Sequence, residues 1–239
     1  MPDNHPQSTR RQVLKASAWS SPVILMAVNA PFAAASPGRC TTMPWTSTTR
    51  SGDIRTGSAA TSSASSATIT VSRSTISGAP QNPVAINGNF APLNVSNTGA
   101  GPVGALRLWQ QSTVAGAQAR QRLSFASTRP LKQVKFLVYD FSRTPTYSDA
   151  LGTTGFEAMT VTRLNTTSPP VIGAGSVASP WTRSAVWTTE ESSTVEVTLS
   201  SSSSVVTSFT LEYSNAVPNP PAGANSQQWI SLSGIEFCF

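Results

Sequence analysis

Apolar and polar side chains alternate with a period of two through most of this chain. Ile69 and Val71 alternate with Thr68, Thr70 and Ser72, and Leu106 and Leu108 with Arg107 and Trp109. Leu123 and Phe125 follow, then Met159 and Val161 between Thr160 and Thr162. Val195, Val197 and Leu199 oppose Glu196 and Thr198, while Phe209, Leu211 and Tyr213 oppose Thr210 and Glu212. Successive side chains of a strand point to opposite faces, so this pattern predicts antiparallel strands with one buried face.

Two segments carry more detail. In Val134–Phe141, Val134, Phe136 and Val138 share one face and Leu137, Tyr139 and Phe141 the other. With no polar face, this strand is expected to lie centrally and to be covered on both sides. Near the C-terminus, Ile230 and Leu232 have one parity and Ile235, Phe237 and Phe239 the other. One extra residue at Ser233-Gly234 would keep all five inward, which predicts a β-bulge. Cys238 then shares the outward face with Glu236, so a partner must reach it from outside the core or along an edge.

Loops with explicit breakers separate the strands: Ala79-Pro80-Gln81-Asn82-Pro83, Asn97 to Pro102, Ser168-Pro169-Pro170 and Val217 to Gly223. Past residue 36 no stretch of ten residues has helical periodicity. About ten strands with turns between them predict an all-β antiparallel β-sandwich, jelly-roll-like or immunoglobulin-like. Composition and layout, with Val134–Asp140 leading into an Asp-containing loop, resemble those of secreted bacterial β-sandwich proteins of unknown function.

Ser8-Thr9-Arg10-Arg11-Gln12-Val13-Leu14-Lys15 resembles the twin-arginine export signal, although Val13 stands where that family most often has Phe and Thr9 where it has Ser. A weakly apolar run, Ala16 to Phe32, and the small residues Ala33-Ala34-Ala35 follow. The resemblance implies export through the twin-arginine translocase, with Arg10 and Arg11 as the residues read, and cleavage by signal peptidase after Ala35. A membrane anchor needs roughly 20 consecutive apolar residues, and Pro22, Asn29 and Pro31 interrupt this run. A lipoprotein signal at Cys40 is excluded by Pro37 and Arg39. The expected organisation is a signal peptide at 1–35 and one sandwich domain at 36–239, secreted or at the cell surface, with no stable membrane insertion.

Charge is sparse: 16 basic and 10 acidic residues give +6 over 239 residues. The basic clusters Arg120-Gln121-Arg122 and Arg129 to Lys135 lack the interleaved aromatics of a single-strand binder, which excludes nucleic acid and leaves weak attraction to anionic wall polymers. The one histidine, His5, falls in the signal. Its loss excludes histidine-based triads, general bases and zinc sites. Outside the cytoplasm the pair Cys40 and Cys238 is expected to form a disulfide.

Candidate chemistry is thin. Asp140 and Asp149 bracket the loop Phe141–Ser148 and are candidate calcium ligands; an ion taking about 6–8 oxygens would need more than these two. The alternative is that they bond backbone amides or pair with Arg143. Glu190-Glu191 point to opposite faces of a strand and make a poor acid/base pair. Trp109, Trp181 and Trp187 are candidates for a sugar-stacking platform, set against packing in the core. Trp109 stands out because Leu106 and Leu108 occupy the other face of its strand. No catalytic motif and no cofactor are expected. These features indicate a non-enzymatic binding or structural protein, its sharpest version a glycan binder; the alternative is an extracellular hydrolase with a carboxylate-only site.

Overall fold

The structure, a computed structural model, describes residues 39–60, 66–80, 89–94, 101–188 and 193–239. The export signal with Arg10 and Arg11, and the pair Glu190-Glu191, lie outside the described residues. The described residues all belong to one compact unit, Pro37–Phe239.

The chain enters through β1 (Cys40–Met43), a 3-10 turn at Trp45–Ser47, β2 (Thr49–Ser51), β3 (Ile54–Ala60) and β4 (Ser66–Ser77). Short edge pieces β5 (Ala79–Pro80) and β6 (Ala91–Pro92) precede β7 (Leu106–Gln111), β8 (Arg120–Leu131), β9 (Gln133–Tyr139) and β10 (Asp149–Thr154). Next come β11 (Ala158–Arg163), β12 (Val171–Ile172), β13 (Trp181–Arg183), β14 (Val195–Ser200), β15 (Val206–Asn215), β16 (Gln228–Leu232) and β17 (Ile235–Cys238).

These strands form two antiparallel sheets, as the alternation predicts. One has nine strands; in it β9 pairs with β14 on one side and with β16 and β17 in tandem on the other. The other has eight, in the order β12-β13-β10-β15-β8-β4-β3-β2. From β7 to β10 and again from β14 to β16 the chain alternates between sheets. The neighbour orders β7-β16-β9-β14 and β8-β15-β10-β13 are the nested hairpin pairing of a jelly roll rather than an immunoglobulin fold.

The core lies between the sheets. Val134, Phe136 and Val138 from β9 and Val195, Val197 and Leu199 from β14 face Leu123 and Phe125 from β8 and Phe209 and Leu211 from β15, all buried. Phe125 and Phe209 are cross-strand partners and stack with centroids 4.3 Å apart. The other face of β9 is half-buried, and Tyr139 packs there against Leu93 and Ala105. Phe141 departs from the expected parity: Asp140 adopts a left-handed φ of 57°, which breaks the alternation and turns Phe141 into the main core.

The bulge stands where the phase flip predicts it. Leu232 pairs with Val138 and Glu236 with Lys135, so three residues of the last segment oppose two of β9. Ser233 makes the mismatch cheap. The Leu137 N–H donates to its Oγ at 2.9 Å, and its own N–H donates to the Leu137 carbonyl at 2.9 Å. Trp45 Nε1 donates to the Ser233 carbonyl at 2.6 Å. Ile230, Leu232, Ile235 and Phe237 are all fully buried, and Phe239 packs against the same core.

Cys40 and Cys238 are bonded to one another, and β1 is the edge strand beside β17, so the partner does arrive along an edge. They are direct cross-strand partners with Cα atoms 4.0 Å apart. That is below the usual ~4.4–6.8 Å of disulfides and near the ~4.5 Å of a non-hydrogen-bonded antiparallel pair.

Candidate functional site

On β7 the parity that sends Leu106 and Leu108 into the core sends Arg107, Trp109 and Gln111 to the outer face of the nine-stranded sheet. Antiparallel pairing sets Trp229 of β16 directly opposite Trp109, and Ser231 opposite Arg107. The indole centroids are 4.9 Å apart and tilted by 46°, and both side chains are half-buried, with their Nε1 atoms out of reach of solvent. Below them, the Arg107 guanidinium carbon lies 4.9 Å from the Trp109 ring and 5.3 Å from the Trp229 ring, with only 1% of the residue exposed. Cation–π contact of this kind, with the arginine desolvated, is worth about 2 kcal/mol. It holds both rings against the sheet.

At the far end of the same ladder Gln227 Nε2 donates to Gln111 Oε1 at 3.3 Å, and both amides are half-exposed. Asn89 fixes the β7 edge: its Nδ2 donates to the Trp109 carbonyl at 2.7 Å, and the Trp109 N–H donates back to Oδ1 at 3.0 Å. The result is a tilted pair of indoles on paired strands, flanked by amides able to donate and accept. Hexose rings stack on such a surface and bond such amides. A strand-borne platform of this kind loses little side-chain entropy on binding.

The other two tryptophan candidates do not join it. Trp181 is 3% exposed and lies under the loop before β13, where Gly175 has a φ of +79° and a Cβ would meet the indole at 2.3 Å. Its ring therefore presents no face to a ligand, which corrects the platform assignment for that residue. Trp187 is half-buried and pairs by its backbone with Arg143, donating to the Arg143 carbonyl at 2.8 Å and accepting from its N–H at 3.1 Å. Trp229, absent from the sequence candidates, takes their place. Its parity on β16 was readable, but its neighbour 120 residues upstream was not.

Asp140 and Asp149 are both buried. The carboxylate of Asp149 accepts from the Ser142 N–H at 2.8 Å, Ser142 Oγ at 3.1 Å and Tyr213 Oη at 2.7 Å. Its neighbours are thus hydrogen-bond donors, where calcium would require further oxygen ligands. Burial pushes the Asp149 carboxyl up to about 7, against the opposing pull of those donors and of Arg183. The fully buried Arg183 gives its protons to the carbonyls of Phe141, Pro169 and Ser193 and to Ser168 Oγ. This interior network fixes the loop between β9 and β10.

Glu157 has a role that composition hid. Its carboxylate accepts from the backbone of Ser202 and Ser203 and the hydroxyls of Ser202, Ser203 and Ser204. Those serine donors hold it well below the ordinary carboxylate range. The serine run Ser202-Ser203-Ser204 is a cradle for one side chain.

No protein-family model and no curated protein matches the chain. It is similar to a solved structure concerned with carbohydrate-binding modules of the β-sandwich superfamily, at 12% identity and a TM-score of 0.37, covering 85% of this chain and 63% of that one. A second, of a carbohydrate-binding module in complex with β-1,4-galactotriose, matches at 10% identity and a TM-score of 0.30, covering 79% of this chain and 88% of that one. The chain thus spans less than two thirds of the first structure's length.

Proposed function

We propose that this protein is a non-enzymatic glycan-binding sandwich that works at or outside the cell surface and stacks a sugar on the Trp109–Trp229 pair. The observation that carries it is that pair: two half-buried indoles in cross-strand contact, in contact with a buried arginine and flanked by Gln111 and Gln227. Paired aromatic rings on a sheet face give a surface on which a sugar ring can stack. Amide side chains beside them suit the hydroxyls of a saccharide better than an apolar partner.

Five carboxylates among the described residues already have partners, which supports binding over hydrolysis. Asp53 pairs with Arg73, Glu196 with Lys135 at 3.0 Å, and Glu212 with Arg120 and Arg122. Asp149 and Glu157 are committed to the donors described above. General acid/base work needs a carboxyl free to meet a substrate. No helix among the described residues is long and apolar enough to cross a membrane.

A glycan array read with the purified protein tests the proposal. Trp109→Ala and Trp229→Ala should each weaken the signal, since stacking on one ring, worth about 0.5–1.5 kcal/mol beyond its area, corresponds to roughly a 2- to 12-fold change in affinity. Circular dichroism should show both variants folded. An array with no wild-type signal, or a signal untouched by both substitutions, overturns it.

A further inference from the structure

Three arginines converge on one ring where β2, β3 and β4 meet the segment leading into β6. Arg50 and Arg55 are direct cross-strand partners, and Arg55 in turn faces Val71, two residues before Arg73. Their guanidinium carbons lie 5.8 Å (Arg50), 5.4 Å (Arg55) and 5.7 Å (Arg73) from the centroid of Phe90. Phe90 is fully buried and holds a left-handed φ of 56°, a conformation costly for a residue with a Cβ. Like charges placed opposite one another on neighbouring strands are destabilising, so the cluster stands against local stability.

Their hydrogen bonds separate the three arginines by role. Arg55 is 4% exposed and donates Nε and Nη2 to the Phe90 carbonyl at 3.0 and 2.9 Å and Nη1 to Thr48 Oγ1 at 3.0 Å. Burial, then the charge of Arg50, lower its pKa to about 10, which leaves it cationic at neutral pH. Three of its five N–H groups are committed to these partners, and its burial makes it a source of field rather than a contact for a ligand. Arg50 is exposed and bonds the Gly52 carbonyl through Nε at 2.9 Å. The side chain of Arg73 is 10% exposed; its Nε, at 3.0 Å, and its Nη2 both donate to Asp53 Oδ1, so a ligand's acidic group must displace that carboxylate, while its Nη1 is buried with no hydrogen-bond partner among the described residues. Asp53 is 54% exposed, and among the described residues neither Arg50 nor Arg55 is in an ion pair.

We propose that Arg50 and Arg73, set against Phe90 with Arg55 behind them, bind the acidic groups of a polysaccharide, so that the glycan this protein takes is anionic. The proposal rests on the glycan-binding function above. One carboxylate, that of Asp53, already docks on this cluster from the solvent side, and the guanidinium fork suits a carboxylate or sulfate. Asn89 and Phe90 connect the cluster to the platform: Asn89 brackets the Trp109 backbone, and the Phe90 N–H donates to the Arg107 carbonyl at 2.8 Å. A polymer of sugars is the ligand that offers stacking faces to the one and repeated acidic groups to the other.

Titration calorimetry with polyglucuronate and with a neutral glucan of matched length, at low and high salt, decides it. Arg50→Gln should weaken polyglucuronate by about tenfold, the scale of one charge-assisted hydrogen bond, flatten its salt dependence, and leave the glucan unaffected. Asp53→Asn removes the competing carboxylate and should tighten polyglucuronate, an outcome no structural role of Asp53 would produce. If the wild type binds glucan but not polyglucuronate, or if neither substitution changes polyglucuronate binding, the arginine site is wrong and the platform stands. A wild type that binds neither polymer removes the glycan reading and this proposal together.

Discussion

Stability should fall as pH rises from 4 to 7, because Asp149 keeps its proton in the folded chain. The carboxyl titrates at about 7 when buried and at its ordinary 3.8 when unfolded. Between those values the folded state binds a proton that the unfolded state has released, so unfolding is favoured by raising the pH. The contribution is fully present below pH 4 and lost as pH passes through 7. At about 1.36 kcal/mol per pH unit, the gap caps the loss at about 4 kcal/mol. The opposing donors Ser142 and Tyr213 already enter that position. For a domain of this size about 4 kcal/mol corresponds to roughly 8–16 °C in melting temperature. Asp149→Asn cannot ionise; its carbonyl can accept both Ser142 donors, but its N–H₂ then replaces the oxygen that accepts from Tyr213 Oη, which costs about 1–3 kcal/mol. Differential scanning fluorimetry from pH 4 to 8 should therefore give a falling line for the wild type and a flat line for the variant, which starts lower at pH 4 and lies above the wild type by pH 8. A wild-type line that is level or rising across pH 5–7, or a variant that keeps the slope, would refute the buried-proton account.

Phe136→Ala deletes a ring that is 2% exposed in the central strand, at a cost of roughly 3–5 kcal/mol; an unchanged urea midpoint would contradict its place in the core. Reducing Cys40–Cys238, which closes a loop of 198 residues, should remove roughly 5 kcal/mol on the chain-entropy account, read as a lower melting temperature with dithiothreitol and no change if the bond is idle. Replacing Arg10 and Arg11 by Lys should leave precursor in the cytoplasm on cell fractionation; normal secretion would point to another export route.

Face was legible in the sequence, and neighbourhood was not. Alternation placed Trp109 opposite Leu106 and Leu108, and the flip at Ser233-Gly234 located a bulge, because both depend only on a strand's own period. Trp229 escaped because its pairing with Trp109 spans 120 residues, and periodicity carries no information on which strands become adjacent. The arginine cluster escaped for the same cause: Arg50, Arg55 and Arg73 come from three strands and meet Phe90 from a fourth segment. Phe141 was assigned to the wrong face because the count assumed extended backbone at Asp140, which is left-handed. Glu157 was invisible because its partners lie 45 residues away, a pairing on which a strand's own period is silent.

The tandem strands β16 and β17 have a consequence for how the chain is made. Gln228–Leu232 fills the slot between β7 and β9, and Ile235–Cys238 the slot between β9 and β1. Until the ribosome has delivered those residues, β7, β9 and β1 each present an open hydrogen-bonding edge, the template on which aggregation begins. Domains whose pairings are this distant in sequence also close slowly. A chain interrupted before Gln228 thus holds most of its strands and can complete neither the nine-stranded sheet nor the disulfide, and its fate is proteolysis or aggregation rather than a partly working product.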